Sequence, residues 1–155
     1  MKKSPRQGAA PPPAAADLLA SARRGLETAH DLDGPLQQYA AIHLAALRAA
    51  AAVLDVKRRP EHRLGRRARI RSTWDLLPEV APEFAEFAAY FDKTTIKRIR
   101  AEAGIIGAVD IHELEDVRHM TTLFMRKVEA LDDVKNATTA QKGSGDGAAT
   151  MRRTS

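Results

Sequence analysis

Eight of the fifteen residues from Lys57 to Arg71 are Lys or Arg, and one, Glu61, is acidic. Eight cations less one carboxylate leave +7 on this segment, in a chain whose total is +5. Together Lys57, Arg58, Arg59, Arg63, Arg66, Arg67, Arg69 and Arg71 can neutralise a row of phosphates, which gives salt-sensitive and weakly sequence-selective binding. Residues 1–16 add +3 and residues 136–155 add +2, so stretches 17–56 and 72–135 carry −7. The basicity therefore belongs to a connection and two ends, and a focused cationic segment is a contact surface for RNA or another polyanion. No aromatic residue lies between Lys57 and Arg71, so the segment has no stacking platform for unpaired bases. An acidic protein partner and a solvated loop are the alternatives.

A second concentration of chemistry is His112, Asp116 and His119. At about 100° per residue the three fall within about 60° on one helix face, opposite Val117, Thr121, Phe124 and Val128. His112 and Asp116 are one turn apart, but His119 is about 10 Å from His112 along the axis, too far for easy shared metal ligation. A solvated face with Asp–His contacts is the better reading, and no metal is expected. Gly143 to Gly147 (GSGDG) has phosphate-loop glycines but follows no strand and opens no helix, so it reads as a linker. The chain has no G-x-S-x-G, H-E-x-x-H or Walker A sequence and no Cys, which removes disulfides, zinc-thiolate sites and thiol nucleophiles. No cofactor is expected.

The elements that must position these groups are helical. Low aromatic content with abundant Ala, Leu, Glu and Arg favours helix over sheet. Asp17 is a candidate N-cap for a first helix carrying Leu18, Leu19, Ala22 and Leu26, ending near His30. Pro35 suits the first turn of a longer helix with Tyr39, Ile42, Leu47, Ala50, Val53 and Leu54 on its stripe, and its run Ala49 to Ala52 lets a neighbour approach closely. His43 lies in that stripe and reads as a hydrogen-bonded core histidine. Arg48 lies off it, to pair with an acid or face an anion. Ser72 and Asp75 resemble a cap for a short helix at Trp74 and Leu77, after which Pro78 and Pro82 re-set the chain. Phe84, Phe87, Ala88 and Phe91 form the next stripe, and a short helix from Thr94 to Ala103 is closed by Gly104. Asp110 and Glu113 cap the last helix, whose Leu114, Val117, Thr121, Phe124, Val128 and Leu131 recur at steps of three and four.

The expected fold is all-α: an antiparallel bundle of about four main helices plus one or two short ones. The expected domain is 17–135 with a basic linker at 57–71, between a disordered Pro/Ala arm at 1–16 and a disordered tail at 136–155. Pro11, Pro12 and Pro13 interrupt any signal-peptide core, and with the absence of Cys this reads as a cytoplasmic chain without a membrane partner.

Tyr39–Leu54 (YAAIHLAALRAAAAVL), the basic linker, Ser72–Phe84 (STWDLLPEVAPEF), Ala88–Phe91 (AAYF) and Arg100–Gly104 (RAEAG) together resemble an actinobacterial subfamily of HEPN-domain proteins, over roughly residues 17–135. The resemblance implies a small helical bundle, often a homodimer, in a family with many ribonucleases of toxin and defence systems. Nuclease members use an Arg followed four to six residues later by a His on a late helix. Here no Arg precedes His112 or His119 at that spacing. Arg24 and His30 match it on the first helix, where a His near a helix C-terminus is also explained by the dipole. Leu123 falls on the polar face beside His119 and is a candidate dimer contact. The sequence thus points to a non-catalytic HEPN-like domain binding RNA or another polyanion. The alternatives are a metal-independent ribonuclease using Arg24 and His30, or a pure protein interaction module.

Overall fold

The computed structural model describes residues 15–57 and 72–140, and these are helical apart from short connections. Helix α1 spans Ala15–Thr28 and α2 Gly34–Lys57, with a 3-10 turn at Ala29–Asp31 between them. Helix α3 spans Thr73–Val80, α4 Ala85–Lys93, α5 Thr95–Glu102 and α6 Ile111–Glu129. A second 3-10 turn, Pro82–Phe84, joins α3 to α4, and residues 132–140 are helical as well.

Local chemistry sets the boundaries. Ser72 Oγ accepts from the Asp75 amide at 3.1 Å, satisfying one orphan donor of α3. Asp110 and Glu113 form a reciprocal capping box on α6, with bonds of 2.8 and 2.9 Å. Gly104 takes φ +74, and the Ile105 amide returns to the Arg100 carbonyl at 3.1 Å, which ends α5. Pro78 sits inside α3 rather than ending it; the chain turns at Ala81, which has φ −146 and ψ 78.

Helix α2 is the axis of the bundle. Its Tyr39, Ile42, His43, Ala45, Ala46, Ala49, Ala50, Ala52, Val53 and Leu54 are buried, and it packs on α1, α3, α5 and α6. It is also long and apolar enough to cross a membrane, with mean hydropathy 1.5, but here its apolar residues form the core. Small residues bring α1 close: a Cβ on Gly25 would stand 3.8 Å from the Ala45 Cβ. Arg48 reaches over the same point of α1, its Nη1 3.9 Å from that position.

The other half of the core is aromatic. Trp74 lies 4.9 Å from Phe91 between ring centroids, and Phe124 lies 5.4 Å from Phe84 and 5.3 Å from Phe87. These rings from α3, the turn before α4, α4 and α6 bury the area that holds the short helices in place.

Side-chain ties give the directions. Arg118 of α6 donates to Gln38 near the start of α2 at 3.3 Å, and Lys57 at the end of α2 meets Asp133 just past α6 at 3.4 Å. Helix α6 therefore runs alongside α2 in the same sense, while α1 runs antiparallel to both, with Arg23 paired to Glu129. The short helices α3 to α5 carry the chain back to make this possible.

The described part of α1 begins at Ala15, which is buried, two positions before the expected start of the domain at residue 17. The helix at residues 132–140 crosses the expected boundary at 135, because Val134 is buried and Ala137 packs against the core. Leu123 is partly buried against the core instead of standing free for a partner.

Candidate nucleic-acid interface and a polar cleft

The basic segment leaves the bundle at the C-terminal end of α2 and rejoins it at the Ser72 cap. Lys57 is the last residue of α2 and is paired with Asp133, so its ammonium is already partly neutralised. Arg58, Arg59, Arg63, Arg66, Arg67, Arg69 and Arg71 lie outside the described residues.

Arg24 and His30 both lie on the described surface. Arg24 is exposed on α1, and His30 is exposed in the 3-10 turn, where its Nε2 lies 3.3 Å from Asp31. A second pair at four-residue spacing, Arg58 and His62, falls in the basic segment outside the described residues.

His112, Asp116 and His119 are all exposed along the outer face of α6. Among the described residues no group of three or more His, Asp or Glu side chains is placed to hold a metal ion.

His43 has the most perturbed environment among the described histidines. It is 1% exposed, and its Nε2 lies 3.2 Å from the Phe91 carbonyl and 3.0 Å from Thr94 Oγ1. Burial, helped by the charge of Arg98, holds its pKa down to about 4, so it is neutral at physiological pH. A carbonyl can only accept, which assigns the ring proton to Nε2. Thr94 in turn donates its hydroxyl proton to the Tyr90 carbonyl at 2.9 Å. The pair is therefore a structural bridge from α2 to the α4–α5 junction, because Nε2 has no lone pair with which to activate the hydroxyl.

Beside this bridge the structure brings together residues that no sequence motif links. Tyr39, Tyr90, Lys93, Thr94, Lys97, Glu113 and Asp116, from α2, α4, α5 and α6 and the junction between α4 and α5, line a cleft of about 210 Å³. Burial pushes the Tyr39 phenol up to about 12 and raises that of Tyr90 as well, so both stay protonated donors. Lys97 meets Glu113 at 2.7 Å and donates to the Ala108 carbonyl at 2.8 Å. The Lys97 hydrogen bond to its carboxylate, with one from the Asp110 amide, holds the Glu113 carboxyl below the usual carboxylate range. The cleft offers donors from its tyrosines and lysines and acceptors from Glu113 and Asp116. Its residues are separated by up to 77 positions, from Tyr39 to Asp116, which is why periodicity alone does not find it.

Comparison with known proteins adds one positive finding. The family model described as SAV_6107-like HEPN matches residues 29–129. No curated protein and no solved structure matches the chain. The match begins at the 3-10 turn and ends with α6, leaving α1 and the helix at 132–140 outside it.

Proposed function

The chain belongs to the SAV_6107-like HEPN family, and on that footing we propose that it is a non-catalytic member that binds RNA through the segment from Lys57 to Arg71. One observation carries the reading: eight cations against one carboxylate in fifteen consecutive residues, on a bundle whose foldable stretches are acidic. A segment fixed at both ends presents its charges over a limited volume, which favours binding over a free tail of equal charge. The fixing points are Lys57 on Asp133 and the Ser72 cap on Asp75.

The non-catalytic part rests on the histidines. His43 keeps its Nε2 proton for a carbonyl, and the Nε2 of exposed His30 lies 3.3 Å from Asp31. Replacing Arg58, Arg59, Arg66, Arg67 and Arg69 together by Ser removes binding to labelled single-stranded RNA, and unchanged affinity in that variant contradicts the reading. RNA stays intact on prolonged incubation with the wild-type chain; cleavage that disappears in His30→Ala or His62→Ala overturns the non-catalytic assignment.

A further inference from the structure

The polar cleft between α2, α4, α5 and α6 holds charges of both signs: Lys93 from α4 and Lys97 from α5, Glu113 and Asp116 from α6. Two of these are committed to each other. Lys97 Nζ lies 2.7 Å from Glu113 Oε2, and Glu113 Oε1 accepts from the Asp110 amide at 2.9 Å, so both Glu113 oxygens are engaged. The other two charges are open. Lys93 is exposed at the end of α4 and makes no ion pair or hydrogen bond among the described residues. Asp116 accepts through Oδ2 from the Tyr90 phenol at 3.3 Å, and its Oδ1 has no donor among the described residues. Lys93 and Asp116 line the same hollow without pairing with each other, which leaves room between them.

A simple ion does not satisfy this arrangement. An anion on Lys93 would share a small space with the Asp116 carboxylate, and a cation on Asp116 would share it with two ammonium groups, so like-charge repulsion opposes either. A molecule that carries an ammonium and a carboxylate together answers both open groups with charge-assisted hydrogen bonds. It also keeps the balance of the cleft, whose two lysines and two carboxylates sum to zero.

Size narrows the class. At about 210 Å³ the hollow is smaller than the roughly 300–1,000 Å³ of sites for drug-sized ligands, which suits a free amino acid better than a nucleotide or a folded peptide. The rings of Tyr39, 1% exposed, and of partly buried Tyr90 supply a wall for the carbon atoms of such a ligand.

We propose that this cleft binds a free α-amino acid, with the ligand's ammonium on Asp116, its carboxylate on Lys93 and its carbon atoms against Tyr39 and Tyr90. The proposal goes beyond the RNA reading and does not rest on it.

Thermal unfolding of the full chain with each of the common L-amino acids in millimolar excess tests it, followed by isothermal titration of any that stabilise. The expected result is that at least one raises the melting temperature, by about 3 °C or more at about ten times its Kd. Its N-acetyl derivative, which lacks the ammonium, and its carboxamide, which lacks the carboxylate, each bind about tenfold more weakly or worse. Asp116→Asn weakens binding of the free amino acid by about the same factor but makes no further difference to the N-acetyl derivative. Lys93→Met stands in the same relation to the carboxamide. Both side chains are exposed, so the helical circular dichroism spectrum is kept in both variants. An unchanged melting temperature with every amino acid, equal affinity for either blocked derivative, or full affinity in Asp116→Asn or Lys93→Met overturns the proposal.

Discussion

Lys57 Nζ stands 3.4 Å from an Asp133 carboxylate oxygen, joining the last turn of α2 to the residues that follow α6. The first cation of the basic run is thereby engaged with the fold; the arginines beyond it lie outside the described residues. Lys57→Ala is therefore expected to reduce RNA affinity less than Arg66→Ala or Arg67→Ala. Each arginine removed lowers the dependence of log K on log salt by about one unit, and Lys57 by clearly less. Equal slopes for the lysine and arginine variants would contradict this division.

His43 makes stability depend on pH in a defined direction. Its pKa is about 4 in the folded chain against an ordinary 6.5 for histidine. As pH falls through about 6.5, the unfolded chain takes up a proton that the folded chain refuses, so stability is lost between about pH 6.5 and 4 and the contribution is complete above that window. The total is on the order of 3 kcal/mol. Urea unfolding at about pH 7 and pH 5 should show a larger loss for wild type than for His43→Gln. Equal losses in the two proteins would place the His43 titration elsewhere.

Removing the cap of α6 is a local test of the fold. Asp110→Ala strips an acceptor from the Glu113 amide and leaves the Glu113 side chain to act alone. The expected cost is about 1 kcal/mol, seen as a lower melting temperature with the helical spectrum kept. A neutral effect would mean that water replaces the cap without loss.

Phe91 is the joint between the two halves of the core. Its ring contacts those of His43, Trp74, Tyr90 and Phe124 while its carbonyl accepts from His43. Phe91→Ala should destabilise by about 3–5 kcal/mol and shift Trp74 fluorescence, because it opens a cavity at a fully buried site. A loss below about 1 kcal/mol would show that this region repacks freely.

Much of the fold was legible because several residues carry two consistent messages at once. Asp110 with Glu113 announces a helix start, and the three-and-four spacing that follows announces its buried seam; both hold. His43 within an apolar stripe reads as a core histidine, and its bonds to Phe91 and Thr94 agree. What periodicity cannot supply is the position of neighbours. Leu123 falls on the polar side of α6 by angle, yet it is partly buried against the core. Residues 132–140 show no apolar period beyond Val134 and Ala137, but those two anchors suffice once α6 has placed them. The polar cleft was not legible because it joins residues from α2, α4, α5 and α6.

The most direct test of the central claim is fluorescence anisotropy of labelled single-stranded RNA with the full chain at about 50 and 200 mM salt. Tight binding at the lower salt that weakens by orders of magnitude at the higher, and that vanishes when Arg58, Arg59, Arg66, Arg67 and Arg69 become Ser, is the predicted result. No binding at the lower salt, or binding indifferent to both salt and the five substitutions, would contradict it.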